Sequence, residues 1–288
     1  MGQILVYLAI GSAAARALFS PWFGVVTVYC IILLTPQNIW WWHFQGVRPV
    51  FWIMLTTLLG FLVKWVRGQY SLQPLQNSRN LLLLVLWLSY SLSYWFGDYV
   101  EVNGPYRFHD PGYIFSLINK AFILYFLAVL CIDETRKLKY LALVFVGSVI
   151  YLIYWTNHQY LAGIQFGRVA GPTDVYGRGI YSDENAFALI FVTGIPYLYF
   201  LGLQTKSLWV RWTLWLIIPF GWHAVFLTGS RGGLIGLAFT TLLIALRSNR
   251  RIVALLIVLP ALAIAYFWQA GEVMKNRAAT ISDYKEER

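Results

Sequence analysis

Charge is scarce in this chain: only 12% of its 288 residues are Asp, Glu, Lys or Arg, and 59% are hydrophobic. Soluble domains carry roughly 25% charged residues, so a water-soluble globule is excluded. Cysteine is nearly absent. Cys30 and Cys131 both lie in apolar runs, which excludes a disulfide framework or a thiolate metal site. The four histidines (His43, His109, His158 and His223) show no metal-ligand spacing and no triad order, and no cofactor or metal is expected. A Walker-type glycine loop is missing, so ATP is not expected as a substrate. The first apolar run lacks a basic flank and a small-x-small cleavage site, which argues against a cleavable signal peptide. Acids are fewer than bases, 12 against 22, giving a net charge of +10. No basic cluster forms a nucleic-acid-binding arm, so no nucleic acid is expected. No sequence repeat recurs at a fixed period.

What the chain has in quantity is apolar length. Hydrophobic runs cover residues 4–15, 22–35, 50–66, 81–96, 113–132, 140–154, 186–203, 212–226, 234–246 and 252–268. A helix crosses the hydrocarbon core with about 20 residues, and lipid leaves no other open-chain solution for the backbone. The sequence therefore predicts an all-α, polytopic integral membrane helical bundle of about 9–10 transmembrane helices. It assigns residues 1–268 to a transmembrane domain and 269–288 to the start of a periplasmic loop. Many of the 14 Trp and 19 Tyr sit near run ends, as interfacial belts require, with Trp40, Trp41 and Trp42 together in one loop. The first two runs are short. They read either as a tight hairpin of spans or as a partly re-entrant pair.

Orientation follows from the loops, because short basic loops stay cytoplasmic. One side collects Arg16, Lys64, Arg67, Arg79, Arg136, Lys137, Lys139, Lys206, Arg211, Arg247, Arg250 and Arg251 against two acids, Asp133 and Glu134. The other side collects the remaining acids with nine basic residues, leaving Lys120 within a span. On this reading residues 97–112, residues 155–185, the turn at Ser230–Arg231 and the tail share the outer face.

The stretch Phe226-Leu-Thr-Gly-Ser-Arg-Gly-Gly-Leu-Ile-Gly236 concentrates the chemistry. An arginine at the end of a lipid-buried helix needs a partner or water. Glycines beside it let backbone N–H groups approach a ligand, and the N-terminus of the next helix favours an anion. Arg231 and Ser230 thus form a candidate phosphate clamp, set against the alternative that Arg231 snorkels to a headgroup while the glycines pack helices. Lys120 lies about two turns into its span and is a further candidate, with snorkelling as its alternative. Arg178 sits between Gly177 and Gly179, shortly before Ser182-Asp183-Glu184-Asn185, which reads as the cap and first turn of a helix. Asp183 or Glu184 either caps that helix or pairs with Arg178. His223 reads as a hydrogen-bonded bundle residue, and His109 and His158 lie on the outer face.

Thr228-Gly-Ser-Arg-Gly-Gly-Leu-Ile-Gly236 resembles the signature of the O-antigen ligase and O-antigen polymerase family of bacterial membrane glycosyltransferases. Gly179-Ile-Tyr-Ser-Asp-Glu-Asn-Ala-Phe-Ala188 resembles that family's outward turn into a span, Lys120 matches a lysine in an earlier helix, and Asn276-Arg-Ala-Ala-Thr-Ile-Ser-Asp-Tyr284 resembles the start of its large periplasmic loop. Pro21-Trp-Phe-Gly24 and Thr35-Pro-Gln-Asn38 are most like the branch described as exosortase-associated O-glycosylation ligases.

The resemblance implies transfer of a polyprenyl-diphosphate-linked glycan to an acceptor hydroxyl on the periplasmic face of the bacterial inner membrane, without metal. It implies Arg231 and Arg277 as diphosphate contacts, with Lys120 and Arg178 beside them. The family's acceptor-activating loop histidine and the spans after it have no counterpart before Arg288. The expectation is therefore an incomplete ligase, or a non-catalytic integral subunit that uses the same scaffold within a larger assembly. Membrane lipid, the lipid-linked glycan and protein subunits are the expected partners.

Overall fold

The structure is a computed structural model that describes residues 2–98, 111–165, 167–173, 179–247, 256, 260–264 and 267. Among the described residues every regular element is helical: α1 (Gly2–Phe19), α2 (Pro21–Leu34), α3 (Pro36–Ile39), α4 (Pro49–Val66), α5 (Ser78–Phe96), α6 (Pro111–Cys131), α7 (Thr135–Leu161), α8 (Glu184–Gln204), α9 (Leu208–Thr228) and α10 (Arg231–Arg247). Short 3-10 turns at Trp41–His43 and Gln73–Gln76 lie between them. Among the described residues seven stretches are long and apolar enough to cross a membrane: α1, α2 with α3, α4, α6, α7, α8 and α9. The chain is an all-α, multi-pass membrane bundle. The expected spans at 81–96 and 234–246 do form helices, α5 and α10, but fall short of that standard. α5 carries Ser89, Ser91 and Ser93 besides Arg79 and Asn80, and α10 has only 17 residues. Most of the expected span at 252–268, and the whole tail from 269, lie outside the described residues.

The chain divides into two compact units, one of Met1–Leu33 with Trp40–Val144, the other of Leu34–Ile39 with everything from Phe145 onward. In the first unit α1 and α2 are separate helices with a break of one residue. Ser20 carbonyl accepts from Phe23 N at 2.9 Å, and Pro21 opens α2 without a donor to lose. Small residues set the helix packing, as expected where lipid supplies no hydrophobic drive. A Cβ on Gly60 of α4 would stand 2.3 Å from the Leu18 carbonyl oxygen of α1, and one on Gly24 of α2 would stand 2.0 Å from Thr57 Oγ1. Ala17, Val25, Val28, Ile53, Phe61, Leu124 and Leu127 fill the core between them. The polar helix α5 is tied to its neighbours by hydrogen bonds: Trp87 Nε1 donates to Asn119 Oδ1 at 2.6 Å, and Tyr125 Oη to Asn80 Oδ1 at 2.8 Å. Trp87 also stacks on Phe122, and Tyr94 on Phe115.

In the second unit α8 is the central helix, with Phe187, Phe191, Ile195 and Leu198 fully buried. Glycines again mark the crossings. Cβ atoms on Gly194, Gly202 and Gly233 would fall 2.5 Å from Val149 Cγ1, 2.5 Å from Trp215 Nε1 and 2.6 Å from Ala188 Cβ. Arg211 closes the end of α8 by donating to the carbonyls of Gly202 and Thr205 at 3.1 and 2.9 Å. One boundary differs from the sequence reading. The segment expected to turn polar at Trp155 stays helical to Leu161, because no breaker precedes Gly163 and its polar side chains bond inward. Thr156 Oγ1 donates to Leu152 O at 2.8 Å, and Asn157 Nδ2 to Ile153 O at 2.7 Å. The 27 residues of α7 span about 40 Å, more than the hydrocarbon thickness.

Gly60→Val should therefore force α1 from α4 and lower stability by about 1–3 kcal/mol, whereas Gly11→Ala, with nothing within 4 Å of its Cβ, should be neutral. Thermal unfolding of the detergent-solubilised protein checks both.

Candidate functional site

Of the polar segments named from the sequence, the one at residues 155–185 meets the turn at Ser230–Arg231, within the second unit. α9 ends at Thr228, and Gly229 reverses the chain at φ 63, the left-handed region that glycine enters without strain. α10 then begins at Arg231. Ser230 is buried and acts as its cap: its hydroxyl accepts from Gly233 N at 2.9 Å and donates to Asn185 Oδ1 at 2.7 Å. Asn185 Nδ2 faces Asp183 Oδ2, which fixes the amide so that Oδ1 is the edge offered to Ser230. The only proton of the Ser230 hydroxyl is thus engaged within the protein. Ser230 holds the turn on which Arg231 stands.

Asp183 caps α8 by accepting from Asn185 N and Ala186 N, both at 2.9 Å, as Ser182-Asp183-Glu184-Asn185 led one to expect. Glu184 pairs with an arginine that the sequence did not single out. Its carboxylate pairs with Arg168 at 3.2 Å, and Arg168 Nε also donates to the Thr228 carbonyl at 3.2 Å. Both charged side chains are about one quarter exposed, so this pair contributes on the order of 1 kcal/mol or less to stability and more to position.

Arg168 begins a non-helical strip, Arg168–Pro172, whose backbone groups are hydrogen-bonded to their surroundings. Val169 N donates to Leu227 O at 2.9 Å, Ala170 N to Gln165 Oε1 at 3.1 Å and Gly171 N to Tyr181 O at 3.0 Å. At its far end Pro172 O accepts from Asn38 Nδ2 at 3.1 Å. Gly171 is required there, since a Cβ would lie 2.3 Å from Tyr181 Cβ. Burial pushes the Tyr181 phenol well above its ordinary pKa, so the ring stays neutral beside the strip.

Below the turn, His223 of α9 meets Asn157 of α7, with Nδ1 and Oδ1 2.6 Å apart. Asn157 Nδ2 donates to two carbonyls, Ile153 O and Phe220 O, so Oδ1 is the acceptor and His223 Nδ1 carries the proton. His223 is thus the hydrogen-bonded bundle residue expected of it, five residues or about 8 Å before Thr228.

Of the other candidates, Lys120 lies exposed on α6 in the first unit and has no ion pair among the described residues. Arg178, Arg277 and His109 lie outside the described residues. Arg168, Asn185 and the Thr228 carbonyl are the members that sequence reasoning missed. Gly163 and Gly167, both at positive φ, were the available signal that Arg168 sits on irregular backbone rather than on a helix. No protein-family model, curated protein or solved structure matches the chain.

Two outcomes check this geometry. Ser230→Ala removes the cap of α10 and the hydroxyl that donates to Asn185 Oδ1, which should lower stability by about 1–2 kcal/mol in thermal unfolding. In ¹⁵N spectra His223 should show a protonated Nδ1, and Asn157→Leu should convert it to a mixture of tautomers.

Proposed function

We propose that the Arg231 turn binds the diphosphate of a polyprenyl-linked glycan, and that the chain belongs to a membrane glycan-transfer system of the O-antigen ligase and polymerase type. The reading places the turn on the periplasmic face of a bacterial inner membrane. The observation that carries it is the construction of the turn: a guanidinium at the first residue of α10, behind a left-handed glycine and a buried serine cap, with Arg168 fixed against the same turn by Glu184 and the Thr228 carbonyl. Aligned N–H groups and a guanidinium at a helix start favour bound phosphate oxygens over a lone headgroup charge.

The chemistry this supports is displacement at the anomeric carbon. The acceptor oxygen bonds to that carbon as its bond to the diphosphate breaks, and the acceptor proton passes to a base. Arg231 steadies the charge that builds on the leaving diphosphate, and positioning supplies much of the rest. Ser230, Asn185 and Gly229 hold Arg231 in place. Arg168 is the second guanidinium at the turn, and Arg178, Arg277 and Lys120 remain candidates from the sequence.

Arg231→Ala should weaken binding of undecaprenyl diphosphate in nanodiscs by at least roughly tenfold, the size expected for a lost charge-assisted contact, with Arg231→Lys intermediate. Unchanged binding in Arg231→Ala would overturn the reading. For orientation, Gly232→Cys is an exposed position with open space around it. In a background lacking Cys30 and Cys131 it should react with a membrane-impermeant maleimide added from the periplasmic side. Labelling only from the cytoplasmic side would reverse the topology.

A further inference from the structure

Thr35-Pro36-Gln37-Asn38 stands out for two independent reasons. Thr35 has φ 46, and among the described residues it is the only non-glycine at positive φ. A β-branched residue is a true outlier there, and Pro36 after it narrows the choice of backbone further. The same short segment also holds two buried side-chain atoms with no hydrogen-bond partner, Thr35 Oγ1 and Gln37 Oε1, and Thr35 as a whole is only 3% exposed. Buried polar atoms are nearly always satisfied, and strain of this kind persists where the surroundings over-determine it. Two such atoms two residues apart, on strained backbone, are the mark of a place built to meet something.

The segment is tied to the arginine turn. Leu34–Ile39 belongs to the second unit, and Asn38 donates to Pro172 O. From Pro172 the strip runs back to Arg168, whose guanidinium holds the Thr228 carbonyl and Glu184. Four residues of extended chain reach at most about 14 Å. The segment that holds the two orphaned atoms thus belongs to the same hydrogen-bonded framework as the turn that carries Arg231.

The chemistry of the pair limits what they meet. An amide carbonyl oxygen accepts and cannot donate, so phosphate oxygens cannot satisfy Gln37 Oε1. A hydroxyl both donates and accepts, and it serves either orientation of the Gln37 amide as well as the Thr35 hydroxyl. We infer that Thr35 and Gln37 form a subsite for the hydroxyl groups of the glycan carried by the lipid diphosphate, so that this chain distinguishes a glycan-bearing lipid from the bare carrier. The inference rests on the diphosphate reading of Arg231.

The test compares two probes in nanodiscs, undecaprenyl diphosphate and undecaprenyl diphosphate carrying a disaccharide, by native mass spectrometry and thermal shift. Wild type should bind the glycan-bearing lipid the more tightly. Thr35→Val and Gln37→Leu should each lose roughly tenfold for that lipid alone, while Arg231→Ala weakens both. Both apolar variants remove an unpartnered polar atom, so their melting temperatures should stay level or rise; Thr35→Ser, which keeps the hydroxyl, should retain the preference and covers the case in which Thr35→Val fails to fold. Equal wild-type affinity for the two lipids, or a preference that survives in Thr35→Val and Gln37→Leu, overturns the subsite and leaves the diphosphate reading standing. Binding of neither lipid to wild type overturns both.

Discussion

The hydrogen bond from Val169 N to the Leu227 carbonyl organises the functional half of this molecule. In a chain with this little polar surface, backbone amides away from water have to find protein partners, and helices do so locally. The strip Arg168–Pro172 is not helical, so its partners must be imported, and they come from α9, from Tyr181 and from Asn38. That requirement brings the end of α9, the approach to α8 and the Thr35–Ile39 segment to one place. The arginine turn is therefore fixed by backbone accounting as much as by its own side chains.

Charge is handled by the same economy. Glu184 stands at the first residue of α8, where a carboxylate complements the helix dipole, and it also faces Arg168. Arg168 in turn stands on the final carbonyl of α9, the negative end of that helix. Each charge thus answers a helix end and another charge at once. A cation held in this way costs less to keep near an apolar bundle than one relying on lipid headgroups, and its guanidinium becomes part of the frame around Arg231.

Most of the architecture was legible because lipid imposes a simple rule on composition: apolar length predicts helix. The helix start at Glu184 was legible for a related reason, since Asp183 is a capping residue just before an apolar run, whereas the cap at Ser230 was not read from the sequence. The end of α7 was not. Thr156 and Asn157 look like loop residues in sequence, and only the carbonyls of α7 and α9 reveal why they are buried. The partner of Glu184 was illegible too, because Arg168 reaches it through a fold in irregular backbone that no periodicity encodes. Arg178 is nearer in sequence and carries the same charge, so spacing alone does not single out Arg168.

Glycine explains why the frame around Arg231 tolerates so little change. Gly229 is needed for its positive φ, Gly233 because α10 lies against Ala188, and Gly171 because the strip lies against Tyr181 and Phe187. Each sits within a few residues of a guanidinium or its cap, and each removes a side chain that would push two backbones apart. Close backbone approach fixes distances more tightly than flexible side chains can, and the cap and the ion pair then inherit that precision. Thr35 is the opposite case. A glycine would relax φ 46 there, yet the position carries a β-branched side chain with a hydroxyl. Strain that glycine would remove, at a site where the hydroxyl has no protein partner, argues that the hydroxyl itself is what the position is for.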